Sequence, residues 1–168
     1  AAGPAPIVAE VLFAFMRHAM AYYRSPTGEP TGKARNFADA IKPLHRLYDD
    51  LPAKDFTAGE LKAVRGAMVA DGLARKTINT RVNRLRRIWK WAAAEGMVPA
   101  SVYVELQTLD PLRRNRTEAR EAPRVVPVAE ERVRATLPHL PRPVAAMVEL
   151  QLLTGCRVGE VLAMRGGE

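Results

Sequence analysis

Apolar side chains in this chain recur every three or four positions, and no stretch alternates apolar and polar residues convincingly, which restricts the chain to packed helices. Val8, Val11, Leu12, Phe15, Ala19 and Tyr22 line one side of a helix predicted over residues 7 to 23, and the run "SPTGEPTG" ends it. Phe37, Ile41, Leu44 and Tyr48 mark a second helix, in which Pro43 is expected to cost a hydrogen bond and introduce a kink; Pro52 closes it. A third opens at "TAGE", where Thr57 caps the helix, Glu60 reaches back as the other half of a capping box, and Leu61, Val64 and Met68 form the buried stripe. A fourth runs from about Arg75 to Glu95, with Gly96 placed to end it in a left-handed conformation, and a short fifth follows Pro99. No repeat of fixed period is present.

The fourth helix carries the strongest local signal. "RKTINTRVNRLRRIWKW" holds Arg75, Lys76, Arg81, Arg84, Arg86, Arg87 and Lys90, and no acidic residue stands between Asp71 and Glu95. Projected at about 100° per residue, Ile78, Val82, Leu85, Trp89 and Ala92 gather on one side, and Lys76, Thr80, Asn83, Arg84, Arg87 and Lys90 gather opposite. A helix that is merely solvated pairs its cations with carboxylates at i to i+4, and here there are none. Thr80 and Asn83, short polar groups among the cations, suit phosphates or base edges in a major groove. Lys76, Thr80, Arg81, Asn83, Arg84, Arg87 and Lys90 are therefore the candidate DNA-binding residues, and Trp91, off the apolar stripe, is expected to pack on a neighbouring helix.

Composition agrees with a polyanionic partner: 26 Lys and Arg against 18 Asp and Glu give a formal charge of +8, and the pI is near 10.1. An apolar content of 48% is enough for an ordinary core and argues against disorder. The single Cys156 has no partner for a disulfide or a Cys-rich metal site, and His18, His45 and His139 have no ligand spacing, so neither a metal nor a cofactor is expected. The opening "PIVAEVLFAFMRHAMAYY" contains Glu10 and lacks a basic start, and no segment approaches the roughly 18 apolar residues of a membrane span. A cytoplasmic location and no membrane partner are the expectations, and Ala1 is not expected to be the natural start.

Residues 111 to 126, "PLRRNRTEAREAPRVV", are charged, poor in apolar residues and flanked by proline, and read as a linker between domains at 1–110 and 127–168. Beyond it, "VAEERVRATL", "PVAAMVELQLL" and "RVGEVLAMR" predict three more helices, and the fold class of the chain is all-α. Gly155 supplies a tight helix ending, Leu152, Val161, Leu162 and Met164 are expected to be core, and Cys156 a small filler. Taken on its residues alone, Arg157 is a helix-start residue paired with Glu160.

"LTGCRVGEVLAMR" resembles the first catalytic motif of the tyrosine recombinases, the phage-integrase family, in which a helix ends at Thr-Gly and an arginine opens the next turn ahead of a Glu; these are Thr154, Gly155, Arg157 and Glu160. The order of a helical module with the basic helix "TINTRVNRLRRIWKWAAAEGMV", a charged linker and the helices leading to "TGCRVGE" is similar to the family's from about residue 7 onward. The resemblance implies a SAM-like core-binding bundle followed by the first helices of a truncated mixed α/β catalytic domain. Arg157 would clamp the scissile phosphate, because a planar guanidinium donates two parallel hydrogen bonds and stays protonated, and Glu160 would orient it. The family's remaining groups, a hairpin lysine, a His-x-x-Arg cluster, a further His or Trp and the tyrosine nucleophile, have no counterpart in this sequence, and Tyr22, Tyr23, Tyr48 and Tyr103 do not replace the last of them.

On this resemblance the chain is the amino-terminal portion of a site-specific recombinase that cuts and rejoins DNA through a phosphotyrosyl intermediate without metal or cofactor. It is inactive by itself and monomeric, while its parent acts as a tetramer on paired sites. Two other readings use the same residues: a noncatalytic helical DNA-binding regulator, and a helical protein-interaction domain whose positive face is only solvated.

Overall fold

The computed structural model describes residues 5–29 and 31–164, which form eight α-helices and no strand. The chain divides into two compact units, Ala1–Pro123 and Arg124–Glu168. Among the described residues no helix is long and apolar enough to cross a membrane.

The first unit contains α1 (Val8–Tyr22), α2 (Lys33–Tyr48), α3 (Ala58–Ala70), α4 (Arg75–Ala94) and α5 (Ala100–Gln107). α4 is the central element and touches all four of the others. Its buried side chains are the predicted Ile78, Val82, Leu85, Trp89 and Ala92, with Ile88 in addition. Ile88 widens the buried stripe of the helix on which all four others pack. Trp89 is fully buried, its ring stacked on Phe56 at 4.3 Å between centroids, and its Nε1–H donates to the Ala53 carbonyl at 3.3 Å.

The ends of the helices follow local chemistry. At the start of α3 the Thr57 N–H donates to Glu60 Oε2 at 2.8 Å, the Thr57 hydroxyl donates to the same oxygen, and the Gly59 N–H donates to Thr57 Oγ1 at 3.1 Å. These bonds from Thr57 hold the Glu60 carboxyl below its ordinary value of 4.5. Thr57→Ala is expected to cost about 1 kcal/mol in urea denaturation at neutral pH. A carboxyl with a depressed folded-state pKa stabilises above its unfolded value, and that contribution is lost as pH falls through the folded one. The gap between the two proteins should therefore narrow as pH is lowered from the ordinary glutamate value of 4.5. α4 ends at Gly96, at φ +71°, where the Met97 N–H bonds to the Ala92 carbonyl at 2.9 Å. α2 begins four residues before Phe37, at Lys33, and runs through Pro43, which is buried within it.

The span predicted as a linker, 111–126, is corrected: residues as far as Pro123 belong to the first unit. Its charged composition conceals a segment held by its backbone. The Leu112 N–H donates to Asn79 Oδ1 at 2.9 Å, Asn79 Nδ2 donates back to the Leu112 carbonyl at 3.0 Å, and the Arg75 N–H donates to the Arg120 carbonyl at 2.8 Å. Ala119 is buried in the core of the unit.

The second unit holds α6 (Glu130–Thr136), α7 (Arg142–Thr154) and α8 (Val158–Ala163), the three helices expected there. α7 ends at Gly155, at φ +67°, where the Gly155 N–H bonds to the Gln151 carbonyl at 2.8 Å. Val161 is buried as expected, whereas Leu152, Leu162 and Met164 are exposed. That expectation of core is corrected: three short helices provide no second layer to cover those side chains.

Candidate nucleic-acid interface

The seven cations of α4 fall into groups that their sequence does not distinguish. Arg75 and Arg86 lie on the flank facing residues 106–121 and are consumed by the fold. The Arg75 Nε donates to Glu121 Oε1, its Nη2 reaches Glu121 Oε2 at 3.3 Å, and its Nη1 reaches the Leu112 carbonyl at 3.3 Å. This pairing raises the Arg75 pKa and lowers that of Glu121. Arg86 donates from Nε to the Leu106 carbonyl at 2.9 Å and from Nη2 to the Leu109 carbonyl, and so closes the carboxyl end of α5. Arg65 of α3 supports the same region by donating to the Asp110 carbonyl at 2.6 Å. Burial pushes the pKa values of both Arg65 and Arg86 down, as expected for guanidinium groups partly withdrawn from water.

Lys76, Arg81, Arg84, Arg87 and Lys90 make no ion pair or side-chain hydrogen bond among the described residues. On a helical projection Lys76, Thr80, Asn83, Arg87 and Lys90 fall within an arc of about 80°, and all five are exposed. Arg84 and Arg81 are half-buried at the edge next to α2. Arg81 acts through space on Asp39, whose carboxyl is lowered first by its bond to Lys42 at 2.7 Å and then by Arg81 and Arg35. The two neutral candidates are partly engaged. Thr80 Oγ1 donates to the Lys76 carbonyl at 2.9 Å, and Asn83 Oδ1 accepts from Arg86 Nη1 at 3.1 Å, while the Asn83 amide N–H groups have no protein partner among the described residues. Thr80, Asn83, Arg84 and Arg87 together line a shallow concavity. The face is suited to a row of phosphates, with cations free to move onto the oxygens and a few short polar groups between them.

Trp91 packs on α1, as expected of a residue off the apolar stripe: its ring stacks on His18 at 5.1 Å and meets Phe15 edge-on at 5.4 Å. Sequence reasoning missed His18 and Tyr22, which extend this stack, and Lys33 and Asn36, which stand near Arg84 and Arg87 in a common cleft. The signal available was weak, since these residues come from separate helices and share no motif.

In the second unit Arg157 is the residue immediately before α8, in extended conformation. Its N–H donates to Glu160 Oε2 at 2.7 Å and its Nη1 to Glu160 Oε1 at 3.3 Å, so the two predicted residues are brought together. The Arg157 side chain is 88% exposed. Cys156 is half-buried, with its Sγ 2.9 Å from Thr154 Oγ1. The structure thus contains the helix-start pair that the residues alone suggest. It also leaves most of the Arg157 guanidinium open to an anion.

No family model, no curated protein and no solved structure matches this chain.

Proposed function

We propose that the chain binds double-stranded DNA through the exposed face of α4 and is the amino-terminal part of a site-specific tyrosine recombinase. The observation that carries the DNA reading is the sorting of cations on α4. Arg75 and Arg86 are bonded to carbonyls and a carboxylate, while Lys76, Arg84, Arg87 and Lys90 have no such partner on an element without a single acidic residue. A solvated helix has no need to concentrate unpaired charge in this way, and the self-repulsion is relieved when a polyanion displaces its counterions.

The recombinase reading rests on the order of elements: a five-helix unit, which we take as a SAM-like bundle, a charged segment, then helices in which Arg157 stands two residues after the αL Gly155. In the intact parent Arg157 would donate two hydrogen bonds to nonbridging oxygens of the scissile phosphate, and Glu160 would hold the guanidinium plane. The nucleophile and the remaining phosphate ligands would come from sequence outside this chain, which by itself would bind DNA and not cleave it. The parent would work without metal or cofactor, as a tetramer on paired sites, on DNA in the cytoplasm.

One observation favours a second reading, a noncatalytic helical DNA-binding regulator. Glu160 satisfies both the backbone and the side chain of Arg157, and this is sufficient to explain the pair as a helix start. The sequence of the gene downstream of codon 168 separates the two. A His-x-x-Arg cluster followed by a tyrosine supports the recombinase, and a stop codon supports the regulator.

A further inference from the structure

Within the first unit, the carboxyl end of α1, the start of α2 and the side of α4 border an open cleft of ≈ 640 Å³, a size at which small-molecule sites are found. One wall is a column of three rings: Tyr22 stacks on His18 at 5.2 Å and 19°, and His18 stacks on Trp91 at 5.1 Å and 28°. Tyr22 ends the column, meets the Tyr23 ring near-perpendicularly at 5.1 Å between centroids, and is 69% exposed. Tyr23 also lines the cleft, with Lys33 Nζ 5.5 Å from its ring centre. Lys33, Arg84 and Arg87 line it too, no carboxylate does, and none of these three cations is paired with an acidic residue among the described residues.

A terminal tyrosine exposed to this extent contributes little to the core, and three unpaired cations lining the same cleft raise the local potential. The ligand that answers both features is a flat aromatic ring that carries a phosphate. We propose that this cleft holds one unpaired nucleotide, with its base laid on Tyr22 and its phosphate met by Lys33, Arg84 and Arg87. A base inside a duplex has both faces covered by its neighbours and cannot offer one to Tyr22; a base released from the stack can. The inference deepens the reading of α4 as a DNA-facing element, on which it rests, because Arg84 and Arg87 belong to both surfaces. The same chemistry is carried by an unpaired nucleotide within a DNA strand and by a free nucleotide.

The test compares binding of the 168-residue protein to a fully paired duplex, to the same duplex with a single unpaired adenosine, and to each in competition with deoxyadenosine monophosphate. We expect the duplex with the unpaired base to bind about tenfold more tightly, in line with the loss seen when one stacking ring is removed. Tyr22→Ala should abolish that preference and leave the fully paired affinity unchanged, and Tyr22→Phe should retain it. Lys33→Gln should reduce it with the ring column intact, so the inference stays testable if Tyr22→Ala fails to fold. Binding of the monophosphate that depends on Tyr22, with no preference between the duplexes, would support the cleft and assign it to a free nucleotide. Equal binding of the duplexes without competition by the monophosphate overturns the inference. In that case salt-sensitive binding of the paired duplex leaves the reading of α4 standing, and absence of any DNA binding overturns both.

Discussion

Replacing Trp89 by alanine is expected to lower the stability of the first unit by about 3–5 kcal/mol, the usual cost of deleting a large buried ring. The side chain is fully buried at the centre of α4, stacked on Phe56 and bonded through Nε1 to the Ala53 carbonyl. Its removal leaves a cavity under Phe56 and Ala53 in the helix on which four others pack. Trp89→Phe keeps much of the volume and loses the hydrogen bond, and should cost less than the alanine change. Urea denaturation followed by circular dichroism checks both, and a loss below about 1 kcal/mol for Trp89→Ala would mean that α4 is not the centre of the unit.

The second large effect concerns affinity. Changing Arg84, Arg87 and Lys90 together to glutamine is expected to weaken binding to duplex DNA by about two orders of magnitude at roughly 0.1 M salt. The slope of log K against log salt should fall by about 2.7, at ~0.9 for each phosphate no longer neutralised. None of the three has a protein partner among the described residues, so the melting temperature should stay where it is. Arg75→Gln and Arg86→Gln form the counterpart. They remove bonds to Glu121 and to the Leu112, Leu106 and Leu109 carbonyls, and should lower stability while leaving the salt slope nearly intact. Equal effects of all five arginine and lysine changes on the slope would show that the division of the helix is wrong.

That division also marks how far the sequence could be read. The helices are written in spacing and caps: Thr57 with Glu60, Gly96 and Gly155 all act where local chemistry places them, because each depends on residues a few positions away. Arg75 and Arg86 carry no such local mark. Apart from Asn83, three positions before Arg86, their partners lie from 20 to 46 positions along the chain and are mostly backbone carbonyls, which every residue possesses. The stretch 111–123 was hidden for the same reason: its charged side chains read as solvated, while its backbone was bonding to Asn79 and Arg75. The column of Tyr22, His18 and Trp91 joins helices separated by most of the first unit, and no spacing rule could have assembled it. In the second unit, periodicity identified the helices but overstated the core, since an apolar stripe is buried only when another element lies on it.

The most direct test of the central claim, that the unpaired cations of α4 meet the phosphates of a duplex, is the affinity of the 168-residue protein for duplex DNA measured across a range of salt concentrations. A straight decline of log K with log salt is expected, of slope about −4.5 if Lys76, Arg84, Arg87, Lys90 and Arg81 each neutralise one phosphate at ~0.9 apiece. Binding that does not change with salt, or no binding at low salt, would contradict it.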